Sequence, residues 1–155
     1  LEYYHSKGYS ENWINQRLKS IEVRKELTDE WERRGIKRGQ EFATLTDIIT
    51  QGWSGMTTRQ YKRYKGLKTE SLRDNMTNLE LVLNMLAEAT TTEISKERRP
   101  RTFAANRIVA AQGGRIAGNT RREIEAQTGK KIVSRLNAEQ VLAAKEIEQN
   151  EEEKE

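Results

Sequence analysis

The chain has 155 residues, 34% hydrophobic and 34% charged, with no cysteine and a formal net charge of +4. One core is within its reach, whereas a disulfide framework, a thiolate nucleophile and a thiolate metal site are excluded. No run approaches the roughly 18 apolar residues that span a bilayer, and the N-terminus lacks the charged-then-apolar order of a secretion signal, so a cytoplasmic protein is expected.

The chain opens at Leu1 without a methionine and runs straight into Tyr3 and Tyr4, as a fragment or processed piece does, so a missing N-terminal part is expected. Ser10 is a suitable N-cap, and the first long helix is predicted from there to Gly35, with Arg33 and Arg34 in the last turn where the helix dipole favours cations. Its apolar residues fall in two stripes: Ile14, Leu18 and Ile21 on one side, Trp13, Val23, Leu27 and Trp31 on another. A helix apolar on two sides touches two things. Trp13, Val23, Leu27 and Trp31 are therefore the expected interaction face, for a second copy of the chain or for the missing part.

Phe42, Leu45, Ile48 and Ile49 keep helical spacing until Gly52, Ser54 and Gly55 break it. Thr57 with Gln60 has the spacing of a capping box and opens a short helix that Gly66 closes. Thr77 with Glu80 repeats the device and opens the central helix, whose apolar arc comprises Leu79, Val82, Leu83, Met85, Leu86, Ala87, Ala89 and Ile94. Thr90, Thr91 and Thr92 mark fraying or a bend there, because β-branched residues lose rotamer freedom in helices. Beyond Pro100, a small-residue helix over residues 102–112 is expected to stop at Gly113 and Gly114, and another, over 116–128, at Gly129. Asn137 with Gln140 gives a third capping-box spacing and opens a last helix. Ile132 and Val133 are the one strand-like pair, too short for a sheet.

The expected fold is thus all-α, an irregular bundle of about five to seven helices around a central apolar helix, with no sheet. Its stretches are a two-faced N-terminal helix (1–36), a helical core (37–99), a basic helical pair (100–136) and a C-terminal helix with an acidic tail (137–155). Residues 145–155 hold six acids and two lysines, so residues 1–144 carry 26 basic against 18 acidic side chains, or +8. Such a body attracts polyanions.

Chemistry can be weighed by elimination. His5 is the single histidine, with no second histidine or cysteine to work with, and the carboxylates alternate with Lys and Arg at helix-surface spacing. Gly113, Gly114 and Gly118 lack the Lys-Ser/Thr of a phosphate loop and any preceding strand; helix termination and close packing at Ala117 and Gly118 explain them. No catalytic residue, metal ligand or cofactor is expected, and the chain reads as a non-enzyme.

The positive signal is Arg59, Lys62, Arg63, Lys65 and Lys68, interleaved with Tyr61 and Tyr64 and free of acids. Arg59, Lys62 and Arg63 share a helix face that can neutralise phosphates, and a tyrosine can stack on a base. The alternative makes the tyrosines core and the cations merely solvated. Two further clusters are Arg98, Arg99 and Arg101 around Pro100, and Arg115, Arg121, Arg122, Lys130 and Lys131. No base-reading helix-turn-helix or zinc-finger pattern accompanies them, so any binding is expected to be to the nucleic-acid backbone.

Residues 65–95, KGLKTESLRDNMTNLELVLNMLAEATTTEIS, carry a pattern of their own: Lys65-Gly66-Leu67, Asp74 with Met76, Glu80-Leu81, and Ala89, Thr90, Thr92 and Glu93. With Ile36 and Phe42 upstream, and Gly113, Gly114, Arg122, Ile124 and Gly129 downstream, it resembles the C-terminal half of the DNA damage-inducible protein D family of BRO-type, phage antirepressor-like proteins. The resemblance implies a helical half whose BRO-type N-terminal, DNA-binding half is missing here, a place in the DNA-damage (SOS) response, and a partner in single-stranded DNA or a recombinase-coated filament. It carries no active site. The competing expectation is a protein-interaction module that captures a repressor and uses its cations for solubility.

Overall fold

The computed structural model describes residues 1–140, and among them every regular element is helical. In chain order these are α1 (Glu2–Ser6), α2 (Glu11–Arg33), α3 (Gln40–Ser54), α4 (Thr58–Tyr64), a 3₁₀ turn (Arg73–Asn75), α5 (Asn78–Arg98) and α6 (Phe103–Thr128). The expected all-α bundle is what forms. Side-chain caps set several starts: the hydroxyls of Ser10, Thr57, Thr77 and Thr102 accept from the amides of Trp13, Gln60, Glu80 and Ala105, satisfying amides that a helix N-terminus leaves unpaired. At Thr57 and Thr77 the box is reciprocal, Gln60 and Glu80 reaching back to the cap amide. Asn137 and Gln140 exchange the same pair of bonds, at 3.1 and 3.0 Å; the last helix and acidic tail expected beyond them lie outside the described residues.

Packing runs α2 on α5, α5 on α6, and α6 on α3, with α3 also touching α5 and carrying α4. The central helix is therefore α5, but its buried side is not the apolar arc alone. Leu81, Leu83 and Ala87 are buried, while Leu79 and Val82 face solvent at 41% and 39% exposure. Rotating the helix this way brings a polar line inward: Glu80, Asn84, Glu88, Thr91, Thr92 and Ser95 are all buried.

Three expectations need correction. First, Trp13, Leu27 and Trp31 are buried and Val23 is half-buried, so the supposed interaction face is core. Leu27 and Trp31 join one apolar cluster with Leu45, Ile49 and Trp53, and the Trp13 indole donates to the Met76 carbonyl at 2.8 Å. The second stripe has its partners inside the same chain.

Second, the basic helical pair is one helix, since α6 passes through Gly113 and Gly114 without a break. A glycine costs a helix interior about 1 kcal/mol relative to alanine, and here close approach supplies the reason for it. A Cβ on Gly114 would lie 2.8 Å from the Ile49 carbonyl oxygen and 3.1 Å from the Cα of Gly52, both α3 backbone. Likewise, a Cβ on Gly113 would collide with Thr91. Only glycine lets these axes come so near.

Third, α5 does not fray at its threonines but runs on unbroken to Arg98. Thr91 and Thr92 are buried, and their hydroxyls donate to the carbonyls of Ala87 and Glu88 at 2.8 and 3.1 Å. After Gly129, residues 130–138 return as a strap, with Ile132 buried, the Ile132 amide on the Glu125 carboxylate at 2.9 Å and the Asn137 side chain donating to the Lys65 carbonyl at 3.0 Å.

Candidate nucleic-acid interface: a cationic groove before buried carboxylates

The capping box at Thr57 starts α4, and the amide of Thr58 donates to Oδ1 of Asp47 on α3 at 3.0 Å. This ties the short helix across α3 and leaves a groove of about 620 Å³ bounded by α2, α3 and α4. Arg59, Lys62 and Arg63 line it from α4, Lys68 from beyond the left-handed turn at Gly66, and Arg24 from α2. Arg59, Arg63 and Lys68 are exposed and Lys62 is half-buried. None of these four forms an ion pair among the described residues. Among the described residues Asp47 is the one acid in the lining, and it already holds the Thr58 amide.

The other side of α4 points inward. Tyr61 and Lys65, four residues apart, are 0% and 2% exposed. Lys65 Nζ meets Glu80 Oε1 at 2.8 Å and the Leu136 carbonyl at 2.7 Å. The Tyr61 hydroxyl donates to the other oxygen of Glu80. Burial, then the Glu80 charge, pushes the Tyr61 hydroxyl pKa far up. Tyr61 and Lys65 thus leave the expected interface, because a ring and an ammonium closed inside the fold reach neither base nor phosphate. Tyr64 is half-buried, with the Arg135 guanidinium 5.0 Å from its ring centroid.

The remaining expected cations do not line the groove. Arg98, Arg99 and Arg101 are exposed around the α5–α6 turn, Arg99 in the left-handed conformation (φ 50°). Arg115 and Arg122 are exposed on α6, and Lys130 and Lys131 just past its end. Arg121 is half-buried and already engaged: Nε donates to the Trp53 carbonyl at 2.7 Å, near the end of α3, and Nη1 meets Glu125 at 2.8 Å.

Behind the groove lies a buried ion cluster whose carboxylate, Glu88, stands among apolar residues and threonines in the sequence. Glu88 is 1% exposed. Arg73 grips it with both terminal nitrogens, at 2.8 and 3.1 Å, and Arg24 at 2.9 Å; Asn84 donates at 3.2 Å. Burial pushes the Glu88 carboxyl up, but Arg73 and then Arg24 more than offset this and hold it below the usual carboxylate range. Arg24 is further aimed by Thr46, whose hydroxyl accepts at 2.8 Å. Glu30, also buried, takes the Ser95 hydroxyl at 2.7 Å and the Arg34 guanidinium at 2.9 Å. Each buried acid of α2 and α5 is thereby matched from another turn or helix, as charges away from water require.

Fold and site define a class: a small all-α module with a cationic groove, in which no described helix is long and apolar enough to cross a membrane. Protein-family models and curated proteins, searched for relatives, return no match to this chain.

Proposed function

We propose that the chain is a non-enzymatic binding module that grips single-stranded nucleic acid, bare or coated by a recombinase, through phosphates laid in the α3–α4 groove. One observation carries the reading: among the described residues, four cations without counter-ions line a single groove in whose lining Asp47 is the only acid and is already engaged. Cations so placed release the condensed counter-ions of a strand and take their place, which binds any sequence. The resemblance to the DNA damage-inducible protein D family gives such a grip a setting, a DNA-damage or phage-type regulator acting by stoichiometric binding in the cytoplasm.

Fluorescence anisotropy with labelled oligothymidylate over a salt series tests this. Arg59→Ala, Lys62→Ala and Arg63→Ala together should weaken binding alike for every sequence and lower the salt slope by about 0.7 for each phosphate no longer neutralised. The acidic stretch could compete for the groove in cis, so truncation after Ala144 should tighten binding. If neither chain retains oligonucleotide at low salt, the reading is wrong and repressor capture takes its place.

A further inference from the structure

The cavity does not end at the groove. Thr46, Thr58 and Lys62 line both the groove and an adjoining recess of about 240 Å³, which is also lined by Thr50, Ser71, Arg73 and Asn84. Three features of this recess belong together. The first is size: at about 240 Å³ it is smaller than the roughly 300 Å³ at which small-molecule sites begin, so by itself it suits a single chemical group.

The second is charge. Among the described residues no acid lines the recess, while Lys62 and Arg73 both do. Arg73 and Arg24 share the single carboxylate of Glu88, so the ion cluster at its wall keeps one positive charge. The third is an unused donor. Thr50 is 4% exposed, yet its hydroxyl has no hydrogen-bond partner among the described residues. The Thr58 hydroxyl, also in the lining, is equally unengaged. Neither hydroxyl is sealed from water, so on the wall of a cationic recess both are free to donate to an acceptor.

We propose that the recess seats a phosphate monoester, the terminal phosphate of a nucleic-acid strand whose backbone runs through the groove. The proposal rests on the groove reading and names the end of the ligand. An internal phosphodiester carries a nucleoside on each side, and both would have to turn out of the recess into the groove; a terminal phosphate has one ester link and enters with its free oxygens first. Near neutral pH it also carries close to two negative charges, which suits two cations with no competing acid. Lys62, Thr50 and Thr58 supply the donors, and Arg73, fixed by Glu88, supplies field.

The test uses the full chain and one oligothymidylate with a 5′-phosphate, a 3′-phosphate or hydroxyls only, read by anisotropy in competition. A phosphate-ended strand should bind about tenfold more tightly than the hydroxyl-ended one, the size of one charge-assisted hydrogen bond. Thr50→Val should erase that preference, and Thr50→Ser, which restores the hydroxyl, should keep it. Equal affinity for all ends, with a steep salt dependence intact, overturns the recess and leaves the groove reading standing. If no strand binds at low salt, the groove reading falls and millimolar inorganic phosphate decides the recess: a rise in Tm of the natural chain but not of Thr50→Val supports the seat with free phosphate as its source, and no rise in either overturns it.

Discussion

Within α4 and its cap, the same run of basic residues divides between two environments. Arg59, Lys62 and Arg63 line the groove without counter-ions among the described residues, whereas Lys65, turned inward with Tyr61, closes on Glu80 at 2.8 Å with no exposure of either side chain. Chemically alike cations thus do opposite work. The groove cations make no ion pair among the described residues, which is what the proposed ligand would use; the buried one holds α4, α5 and the returning strap together through a carboxylate and the Leu136 carbonyl. What separates them is the partner across the fold, since Glu80 enters from α5 where α4 presents its inner side.

The contrast breaks most visibly at Lys65. Lys65→Ala leaves the Glu80 charge buried with its ammonium removed, and should cost about 3–5 kcal/mol in urea unfolding. A loss below about 1 kcal/mol, the level of a surface pair, would place Lys65 with the groove cations after all.

Glu88 should come next, at about 2 kcal/mol for Glu88→Gln near neutral pH, because its partners Arg24 and Arg73 are 26% and 21% exposed and water can take up part of their charge. This site also fixes a sign. The folded carboxyl is held below its unfolded value, so its contribution is fully present above the ordinary glutamate range and is lost as pH falls through the depressed folded value. Thermal unfolding across the acid range should therefore show a flatter pH dependence for Glu88→Gln than for the natural chain.

Gly114→Ala should cost about 1–3 kcal/mol through overpacking, since the Ile49 carbonyl and the Gly52 Cα are backbone and cannot step aside. At the far end, Arg59→Ala with Arg63→Ala should move stability by no more than about 0.5 kcal/mol while weakening oligonucleotide binding. A large stability loss in that double variant would mean these two arginines are structural like Lys65.

Much of the local framework is legible in the residues. Ser10, Thr57, Thr77 and Asn137 announce themselves as caps because a short side-chain oxygen beside an apolar run has one efficient use, pairing a free helix amide. Four of the groove cations are also legible, since Arg59, Lys62 and Arg63 share a helical face and Lys68 follows closely. Arg24, Arg73 and Thr50 are not: the first two sit beside acids of opposite sign, and Thr50 is one of three threonines in α3 with nothing in the spacing to set it apart. The Trp13, Leu27 and Trp31 stripe is visible in the spacing, but nothing in the spacing says that its partner lies within the same chain.

Composition, spacing and capping by themselves determined that this protein is helical, where several helices start, and that its body is cationic, because those properties depend on residues within a turn or two of each other. Only the tertiary structure decided that Gly113 and Gly114 continue a helix, that the tryptophan stripe is core, and that Lys65 is spent inside while Lys62 stays in the groove. Each of those outcomes is set by a group far away in the chain: Gly52 and Thr91 for the glycines, Leu45 and Ile49 for the stripe, Glu80 for the lysine. Periodicity reports which face a residue occupies, but the identity of what that face meets is written elsewhere in the sequence and is joined to it only by folding.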